Sequence, residues 1–405
     1  MYCYQWPKIK MNKKNNPLLQ QISIYIHWPF CLSKCPYCDF NSHVRTNFDY
    51  KKMISAYISE IHSIKNFIHD SPLEVGSIFF GGGTPSLMPP KFVEKIISTL
   101  ERYWKFSDKL EISLEANPNS VDLVKFNGFK NAGVNRLSLG VQALNDKDLK
   151  FLGRSHTCNE SLKALDIASK IFKKTSIDLI YGRPKQSTSD WELELSSALK
   201  LPINHISLYQ LTIEKGTQFF TDARDKKFIM PNENYQNTMF NISNIITEQA
   251  GFTSYEISNY ARPNFTCKHN LTYWLYKPYI GIGPGAHGRM PAKDGGRVAT
   301  RMHSKPETWL DAVCSNGHGI AQKSAISPKE RATEALILGL RLTEGINKKH
   351  FETNTGVKFN DAVIASEIKR LEEKNYIVNS EQKLKLTKHG RPLLNSILSH
   401  IAAYE

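Results

Sequence analysis

Strand-like and helix-like segments alternate along the first half of the chain, and this alternation constrains the fold more than any other feature of the sequence. Amphipathic stretches with helical spacing, such as Tyr50–Phe67, 91–103 and 159–173, separate apolar runs typical of buried strands. Strand–helix repetition predicts a parallel sheet with right-handed crossovers. Six units at this spacing favour a partial (β/α)6 barrel, an α/β fold, with predicted strands at 22–27, 75–80, 110–115, 136–141, 176–180 and 205–211.

The chain has 405 residues, which is enough for one large domain and a smaller one. We predict a poorly ordered segment over 1–20, a barrel core over 21–250, an extension of the barrel over 251–320 and a small domain over 321–405. In the small domain, helical patterns precede two short strands and a final helix, an order that resembles a winged helix. The elements predicted there are helices at 330–342 and 361–374, strands at 376–378 and 384–386, and a helix from 391.

The composition of the chain indicates where in the cell the protein acts and which classes of partner it can bind. No apolar run approaches the length of a membrane span, and the basic N-terminus lacks an apolar signal core, so we expect a cytoplasmic protein. Seven cysteines suit a reducing compartment and metal ligation better than a disulfide framework. The net charge of +15 permits anionic partners. The lysines are nevertheless spread along the chain, and no group of side chains that would contact nucleic-acid bases can be identified. We therefore expect no nucleic-acid partner.

Three cysteines follow the first predicted strand at C-x3-C-x2-C spacing: Cys31, Cys35 and Cys38. Thiolates that project from a tight loop are the ligands of iron–sulfur clusters. A [4Fe–4S] cluster held by three cysteines has one iron without a protein ligand, and a small molecule can chelate that iron. The alternative is structural zinc, which prefers four ligands; His27 or His43 could be proposed as the fourth.

The cysteine motif and its flanks, from Tyr25 to Phe40, resemble the radical S-adenosylmethionine (radical SAM) superfamily. Within it they are similar to the branch of oxygen-independent coproporphyrinogen III oxidase and its haem-chaperone relatives. The resemblance implies a partial barrel and a [4Fe–4S] cluster whose open iron binds SAM through its amino and carboxylate groups. It also implies that Tyr37 lies near the SAM adenine and that Tyr25 is a SAM contact.

A glycine run, Gly81-Gly82-Gly83, follows the second predicted strand and is followed by Thr84. Glycines let a ligand approach the backbone and expose N–H groups to an anion, although such a run alone is as consistent with a plain turn. In this position it resembles the family's glycine motif for the SAM methionyl amine. The resemblance therefore assigns Gly82, Gly83 and Thr84 to SAM.

Polar residues also occur at or after the ends of the third, fourth and fifth predicted strands. In barrels of this kind, functional residues collect at the C-terminal ends of the strands. Taken singly, each polar residue is better explained as a hydrogen bond at the barrel mouth. Together they match SAM contacts of the coproporphyrinogen oxidase family: Glu115, Gln142, Arg154 and Asp178. Arg154 suits the SAM carboxylate by its charge and its fork geometry.

A second motif, His269-Asn270-x-x-Tyr273-Trp274, stands in a loop-like context. Imidazole is a common axial ligand of haem iron and flat aromatic rings suit a porphyrin face, but a histidine near a tryptophan is more often packed structure. The motif resembles the signature of HemW-type haem chaperones, which implies that His269, Asn270, Tyr273 and Trp274 bind haem. The glycine-rich run that follows, 279–288, would bring backbone close to the barrel mouth.

Two main functions follow from the resemblance. One is a haem chaperone that hands haem to an acceptor protein, which could be membrane-associated. The other is an oxygen-independent coproporphyrinogen III dehydrogenase, which oxidatively decarboxylates two propionates with SAM radicals. The catalytic branch carries a further cysteine where this chain has Phe40. Members of that branch also have a longer N-terminal segment before the part that resembles this chain. Both differences favour the chaperone. A DNA-binding regulator is a distant third. The expected cofactors are a [4Fe–4S] cluster, SAM and haem, in a monomer or a homodimer.

Overall fold

The computed structural model describes residues 20–45, 47–68, 73–292 and 295–403. The segment predicted to be poorly ordered, 1–20, lies outside the described residues except for Gln20, which begins the first strand.

The strands, in chain order, are β1 (Gln20–Trp28), β2 (Phe30–Cys31), β3 (His43–Val44), β4 (Leu73–Gly82), β5 (Lys105–Ala116), β6 (Arg136–Gln142), β7 (Lys174–Tyr181), β8 (His205–Gln210), β9 (Thr253–Ser254), β10 (Asn259–Ala261), β11 (Tyr279–Ile282), β12 (His287–Pro291), β13 (Arg297–Met302), β14 (Ile320–Ile326), β15 (Ile346–Asn347), β16 (Ile377–Asn379) and β17 (Lys383–Leu386).

The α-helices are α1 (Tyr50–Phe67), α2 (Pro90–Tyr103), α3 (Leu123–Asn131), α4 (Asp146–Phe151), α5 (Cys158–Ile171), α6 (Thr188–Ala198), α7 (Gln218–Arg224), α8 (Glu233–Gln249), α9 (Lys268–Trp274), α10 (Pro306–Asn316), α11 (Pro328–Gly339), α12 (Lys348–Thr355), α13 (Ala365–Glu373) and α14 (Leu394–Ile401). Short 3-10 turns lie at Pro85–Leu87, Pro118–Ser120, Phe359–Asp361 and Arg391–Leu393.

Six of these strands form the predicted parallel sheet. They pair in chain order, β1-β4-β5-β6-β7-β8, and at least one helix lies between each strand and the next. A doubly wound sheet would reverse its strand order at a switch point, whereas this order runs in one direction, as in a partial barrel. The α/β partial-barrel prediction is therefore confirmed.

The sheet continues beyond both ends of this parallel set. On one side β11 pairs with β1 in parallel, and β12, β13 and β14 follow as antiparallel strands. On the other side β10 and then β9 pair antiparallel with β8. The strands from β9 to β14 belong to the predicted extension and its borders, so the extension lengthens the sheet at both edges.

The main core lies between the sheet and its helices. The parallel strands have nearly continuous apolar runs because they are buried on both faces. Helix α2 shows how a helix joins them: its side chains at helical spacing, Phe92, Val93, Ile96 and Leu100, are all buried, and the opposite face is polar. These contacts fix the strand ends, which position the candidate site.

The C-terminal residues form a second hydrophobic cluster around α11, α13 and α14. The predicted two-stranded hairpin is present as β16 and β17, and β15 pairs with the other side of β17. The structure adds α12 and β15, which the sequence did not predict. The winged-helix-like arrangement is confirmed. Among the described residues, no helix combines the length and the apolarity needed to cross a membrane.

Candidate functional site

Cys35 and Cys38 lie on a loop, 32–42, which we call the cysteine loop, and Cys31 ends the strand β2 that leads into it. Phe30–Cys31 pairs in parallel with His43–Val44, and the His43 amide donates to the Pro29 carbonyl over 2.7 Å. A turn joins the other two cysteines, because the Cys38 amide donates to the Cys35 carbonyl over 3.1 Å. None of the three thiols is in a disulfide, so all three sulfur atoms are available as ligands.

This loop covers a cavity of ≈ 360 Å³ at the C-terminal ends of the parallel strands. The structure brings together there all the predicted cluster and SAM residues except Tyr25: Cys31, Cys35, Tyr37, Cys38, Gly82, Gly83, Thr84, Glu115, Gln142, Arg154 and Asp178. Residues separated by as many as 147 positions meet because parallel strands end on one face of the barrel.

Gly83 and Thr84, which follow β4, bond to the end of β1 and to β2, the strands that lead into the cysteine loop. The Gly83 amide donates to the Trp28 carbonyl over 2.6 Å, and the Thr84 amide donates to the Phe30 carbonyl over 2.9 Å. A side chain on Gly83 would approach the Phe30 oxygen to 2.7 Å, so only glycine fits there. The Gly82 amide is also bonded, to Glu115 Oε2 over 3.2 Å, so all three N–H groups of this segment donate to groups of the protein.

Two carboxylates, Glu115 and Asp178, lie in the cavity wall. Loss of solvation, with a contribution from the Asp178 charge, raises the pKa of Glu115 to about 8, and the Gly82 amide partly offsets this rise. Loss of solvation also raises the pKa of Asp178 to about 6, against hydrogen bonds from Ser207 and Ser138 and the charge of Arg154. Near neutral pH this wall therefore holds one carboxyl that is largely protonated and one that is largely ionised.

Arg154 reaches the cavity from the loop after α4. Its Nη1 donates to Cys35 Sγ at 3.4 Å and its Nη2 donates to the Gly140 carbonyl at 3.2 Å. Its Nε is buried and has no hydrogen-bond partner among the described residues. A buried, unpaired donor on a cation that lines a cavity is suited to an anionic ligand group.

Gln142, the last residue of β6, has a left-handed backbone with φ of 70°. Such a conformation costs roughly 1–3 kcal/mol for a residue other than glycine, and residues of this kind cluster at functional sites. The pairing of β6 with β7 also shifts register between Leu139 and Gln142. The irregular strand end places the Gln142 amide in the cavity wall.

The second motif lies at the other end of the barrel and is helical. The expectation of a loop there is wrong, because Lys268–Trp274 forms the seven-residue helix α9. His269 is 1% exposed; its Nδ1 is 3.0 Å from Ser77 Oγ and its Nε2 is 2.8 Å from the Tyr273 hydroxyl. Burial lowers the pKa of His269 to about 3, so the imidazole is neutral.

A buried ion pair fixes α9 at this end. Glu111, near the start of the buried part of β5, accepts from the Lys268 amide at 2.8 Å and pairs with Arg136 at 3.1 Å. Arg136 also donates to the Phe265 carbonyl over 2.7 Å. The strand ends that hold α9 are N-terminal ones, opposite to those that surround the cysteine cavity.

Two family models and many known proteins match this chain. The sequence matches the Radical SAM superfamily model over residues 25–195 and the HemN C-terminal domain model over residues 326–393. It is 36% identical to the protein named Heme chaperone HemW of Buchnera aphidicola subsp. Schizaphis graminum, across 94% of this chain and 98% of that protein. The chain belongs to the HemW family of radical SAM proteins.

Two further relatives show how far the HemW family likeness extends. A zebrafish (Danio rerio) protein named radical S-adenosyl methionine domain-containing protein 1, mitochondrial, is 35% identical across 94% of this chain and 87% of its own length. The solved structure of coproporphyrinogen III oxidase (HemN) from Escherichia coli has a TM-score of 0.77 and 21% identity, covering 94% of this chain and 90% of that one. The second likeness establishes the fold.

Radical SAM membership implies a [4Fe–4S] cluster and SAM, and the cavity residues fit both. Three free thiols and the unpaired Arg154 Nε are the observations that support this fit. Both candidates for a fourth zinc ligand are bonded to other groups. His27 Nε2 lies 2.8 Å from the Asn41 carbonyl and its Nδ1 lies 3.0 Å from the Tyr25 hydroxyl, and His43 Nε2 lies 3.2 Å from both Asn41 Oδ1 and the Ser304 carbonyl. Within the described residues, no three His, Cys, Asp or Glu side chains are grouped around a single metal position.

Some cavity residues of this HemW-family chain were not predicted, and one predicted residue lies elsewhere. Tyr209, Asn117 and Ser138 line the cavity, and the alternation of side chains along β8 could have indicated Tyr209. The Tyr25 ring instead lies inside the barrel, with its centroid 6.3 Å from that of Phe79 and 6.2 Å from that of His269.

The glycine-rich run of the HemW-family motif does approach the cysteine loop, as expected. A side chain on Gly285 would meet the Asn41 amide group, and Asn41 Nδ2 donates to the Pro284 carbonyl over 3.0 Å. Gly283 has a φ of 98°, and a side chain there would approach the His27 oxygen to 2.5 Å. The run therefore supports the end of the cysteine loop.

Proposed function

We propose that this protein is a haem chaperone: it binds haem and passes it to an acceptor protein, and it does not oxidise coproporphyrinogen III. The observation that carries the choice is Phe40. Its ring is 62% exposed and lines the cysteine cavity, at the position where the resemblance expects a thiol in the catalytic branch. Relatives of nearly full length bear the name Heme chaperone HemW, which supports haem as the cargo.

In this proposal Cys31, Cys35 and Cys38 hold the cluster and the cavity wall holds SAM. When bound, the cluster supplies an electron and an open coordination position to SAM. Arg154 offers its unpaired Nε to the SAM carboxylate, and the ionised Asp178 accepts from donor groups of the ligand. The N–H groups of Gly82, Gly83 and Thr84 are engaged, and the amine of SAM is itself a donor, so this segment would hold that amine through its carbonyl oxygens.

We also propose that His269, Asn270, Tyr273 and Trp274 bind haem, which for His269 requires a change in its present hydrogen bonds. Both nitrogens of His269 are engaged within the barrel. An iron–His269 bond therefore requires the imidazole to give up its hydrogen bond to Ser77 or the one to Tyr273, which lies on the same helix. Trp274 needs no such change, because its side chain lies on the opposite face of α9.

The acceptor protein, a cytoplasmic location and the oligomeric state also belong to this proposal. The abundance of free thiols supports a reducing compartment, since all six described cysteines are unpaired.

The direct test is a haem titration of the anaerobically reconstituted protein, followed by mixing with an apo-haem protein as acceptor. We expect a saturable Soret band on titration and its transfer to the acceptor on mixing. A protein that takes up no haem under these conditions would contradict the proposal.

A further inference from the structure

We propose that haem occupies the cavity between α9 and the C-terminal domain, with the His350 imidazole as an axial ligand of the iron. We call it the interdomain cavity; it has a volume of ≈ 510 Å³ and is lined on one side by Leu271, Trp274 and Leu275 and on the other by Leu342, Ile346 and Phe351. This inference rests on the proposed function and locates its site. It uses a histidine outside the second motif.

Helix α9 has two faces with different environments. His269, Thr272 and Tyr273 share one face by their i, i+3 and i+4 spacing, and hydrogen bonds join this face to the barrel strands or within the helix. Leu271, Trp274 and Leu275 have the same spacing on the other face and line the interdomain cavity. The helix is therefore a wall between the barrel interior and this cavity.

The size and chemistry of the cavity suit a porphyrin. Its volume falls within the roughly 300–1,000 Å³ typical of small-molecule sites, and the side chains named above give it apolar walls. Trp274 adds a flat ring, and its indole Nε1 is buried without a hydrogen-bond partner among the described residues. Arg341 lies 4.5 Å above the centre of that ring and fixes its orientation. An apolar macrocycle with acidic edges matches these walls, while an unpaired donor remains for a polar group.

His350 supplies an imidazole, which no other residue in the lining of the cavity carries. It lies on α12 beside Phe351 and lines the cavity. No hydrogen bond joins its imidazole to any other residue in the part of the chain that the structure describes. Burial and the positive charge of Lys277 lower the pKa of His350, which favours the neutral, iron-binding form. His269, in contrast, has both nitrogens engaged.

The rim of the cavity carries charge that suits propionates. Lys383 lines the cavity and forms an ion pair with Glu344 at 2.7 Å, with 41% and 81% of the two side chains exposed. Such an exposed pair is weak, so Lys383 can exchange Glu344 for a propionate at little cost. Haem would then keep its apolar face inside and its acidic edge at the solvent.

The test compares hemin with metal-free protoporphyrin IX, each titrated into the full-length protein and its variants. His350→Ala should weaken hemin binding roughly ten-fold or more and shift the Soret band, because the axial bond is lost, and added imidazole should restore the band. Its protoporphyrin affinity should not change. His389→Ala, an exposed histidine of the same domain outside the cavity, is the matched control and should bind both as the wild type does.

A second variant tests the location without touching a ligand. Ala335→Phe places a ring in the cavity and should weaken the binding of both hemin and protoporphyrin, with folding checked by circular dichroism. Unchanged binding in Ala335→Phe would overturn the location. Wild-type hemin affinity and spectrum in His350→Ala, or a loss of hemin binding confined to His269→Ala, would overturn the assignment of His350 while the proposed function stands. Failure of the wild type to bind hemin would overturn the proposed function itself.

Discussion

Arg154 joins the cysteine loop to the end of β6, because its guanidinium donates both to Cys35 Sγ and to the Gly140 carbonyl. Its third nitrogen, Nε, is buried and has no hydrogen-bond partner within the described residues. At the scale of single residues, this donor and the three thiols are the groups whose chemistry most directly defines the site.

Substitution of Arg154 should weaken SAM binding selectively. Arg154→Ala removes a charge-assisted hydrogen bond, so we expect a loss of about 1.5–3 kcal/mol in SAM binding free energy, measured by calorimetry on reconstituted protein. Arg224→Ala, which removes a guanidinium from an exposed ion pair with Asp225, is the control. Equal SAM affinities for the two variants would refute the role of Arg154.

Removal of one cluster thiol should remove the iron. Wild-type protein reconstituted anaerobically should contain about four irons per chain, by the composition of a [4Fe–4S] cluster. Cys35→Ala should lose them, whereas Cys314→Ala, which changes an exposed thiol of α10, should not. Iron and sulfide analysis decides the matter; tightly bound zinc in place of iron would contradict the cluster.

Most residues of the site could be predicted from the sequence, but the position of each side chain along the barrel axis could not. Strand ends are readable from apolar runs, so the residues that follow β4 to β7 were placed on the correct face. Tyr25 and Tyr209 both lie within strands, and the register and tilt of those strands decide which of them reaches the cavity. Register depends on pairing between distant strands, which spacing along the chain does not contain.

At the scale of elements, long buried strands were predicted well and short polar elements poorly. The six parallel strands have apolar runs because both of their faces are covered. Helix α12, Lys348–Thr355, buries only Phe351 and Thr355, so it has no apolar stripe to indicate it. Helix α9 was not predicted for a related reason. Its seven residues mix polar and aromatic side chains, and its two faces have different environments, so it has no single apolar stripe.

Glu60 on α1 connects this helix to the extension and should make stability depend on pH. It is fully buried and accepts from the Gly283 amide at 2.7 Å, the Gly319 amide at 2.8 Å and the Trp309 indole at 2.9 Å. Burial raises the pKa of Glu60 to about 7, against these hydrogen bonds. Because this pKa exceeds that of the unfolded chain, the native state binds more protons between about pH 4.5 and 7, and stability falls as pH rises through that window.

We therefore expect Glu60→Gln to remove this part of the pH dependence. The difference in free energy of unfolding between variant and wild type, from urea denaturation, should change between pH 4.5 and 7 in favour of the variant. Each pKa unit corresponds to about 1.4 kcal/mol. Glu101→Gln, at an exposed position on α2, provides the control. A constant difference across this window would contradict a raised pKa.

At the scale of the whole molecule, the protein separates two sites along the barrel. The cysteine cavity occupies the C-terminal ends of the strands, and α9 with the interdomain cavity occupies the N-terminal ends. Tyr25, Phe79 and His269 are in ring contact between them inside the barrel. If haem occupies the interdomain cavity as we propose, this separation would let haem and SAM bind at the same time.

The domain assembly also explains why the second site could not be read from the sequence. Its walls come from α9 and from the C-terminal domain. Two ion pairs join that domain to the extension of the barrel: Arg341–Glu256 at 3.0 Å and Arg289–Glu334 at 2.7 Å. A motif analysis covers one wall only. The domain boundaries predicted at 250 and 320 remain predictions.

The most direct test of the central claim measures coproporphyrinogen turnover and haem binding on the same anaerobic preparation. Unmodified protein with a reconstituted cluster, SAM and a reductant is offered coproporphyrinogen III, and in parallel it is titrated with haem. We expect stable haem binding and no protoporphyrinogen, because Phe40 supplies no thiol to the cavity. Formation of protoporphyrinogen without tight haem binding would contradict the account and make the chain an enzyme of porphyrin synthesis.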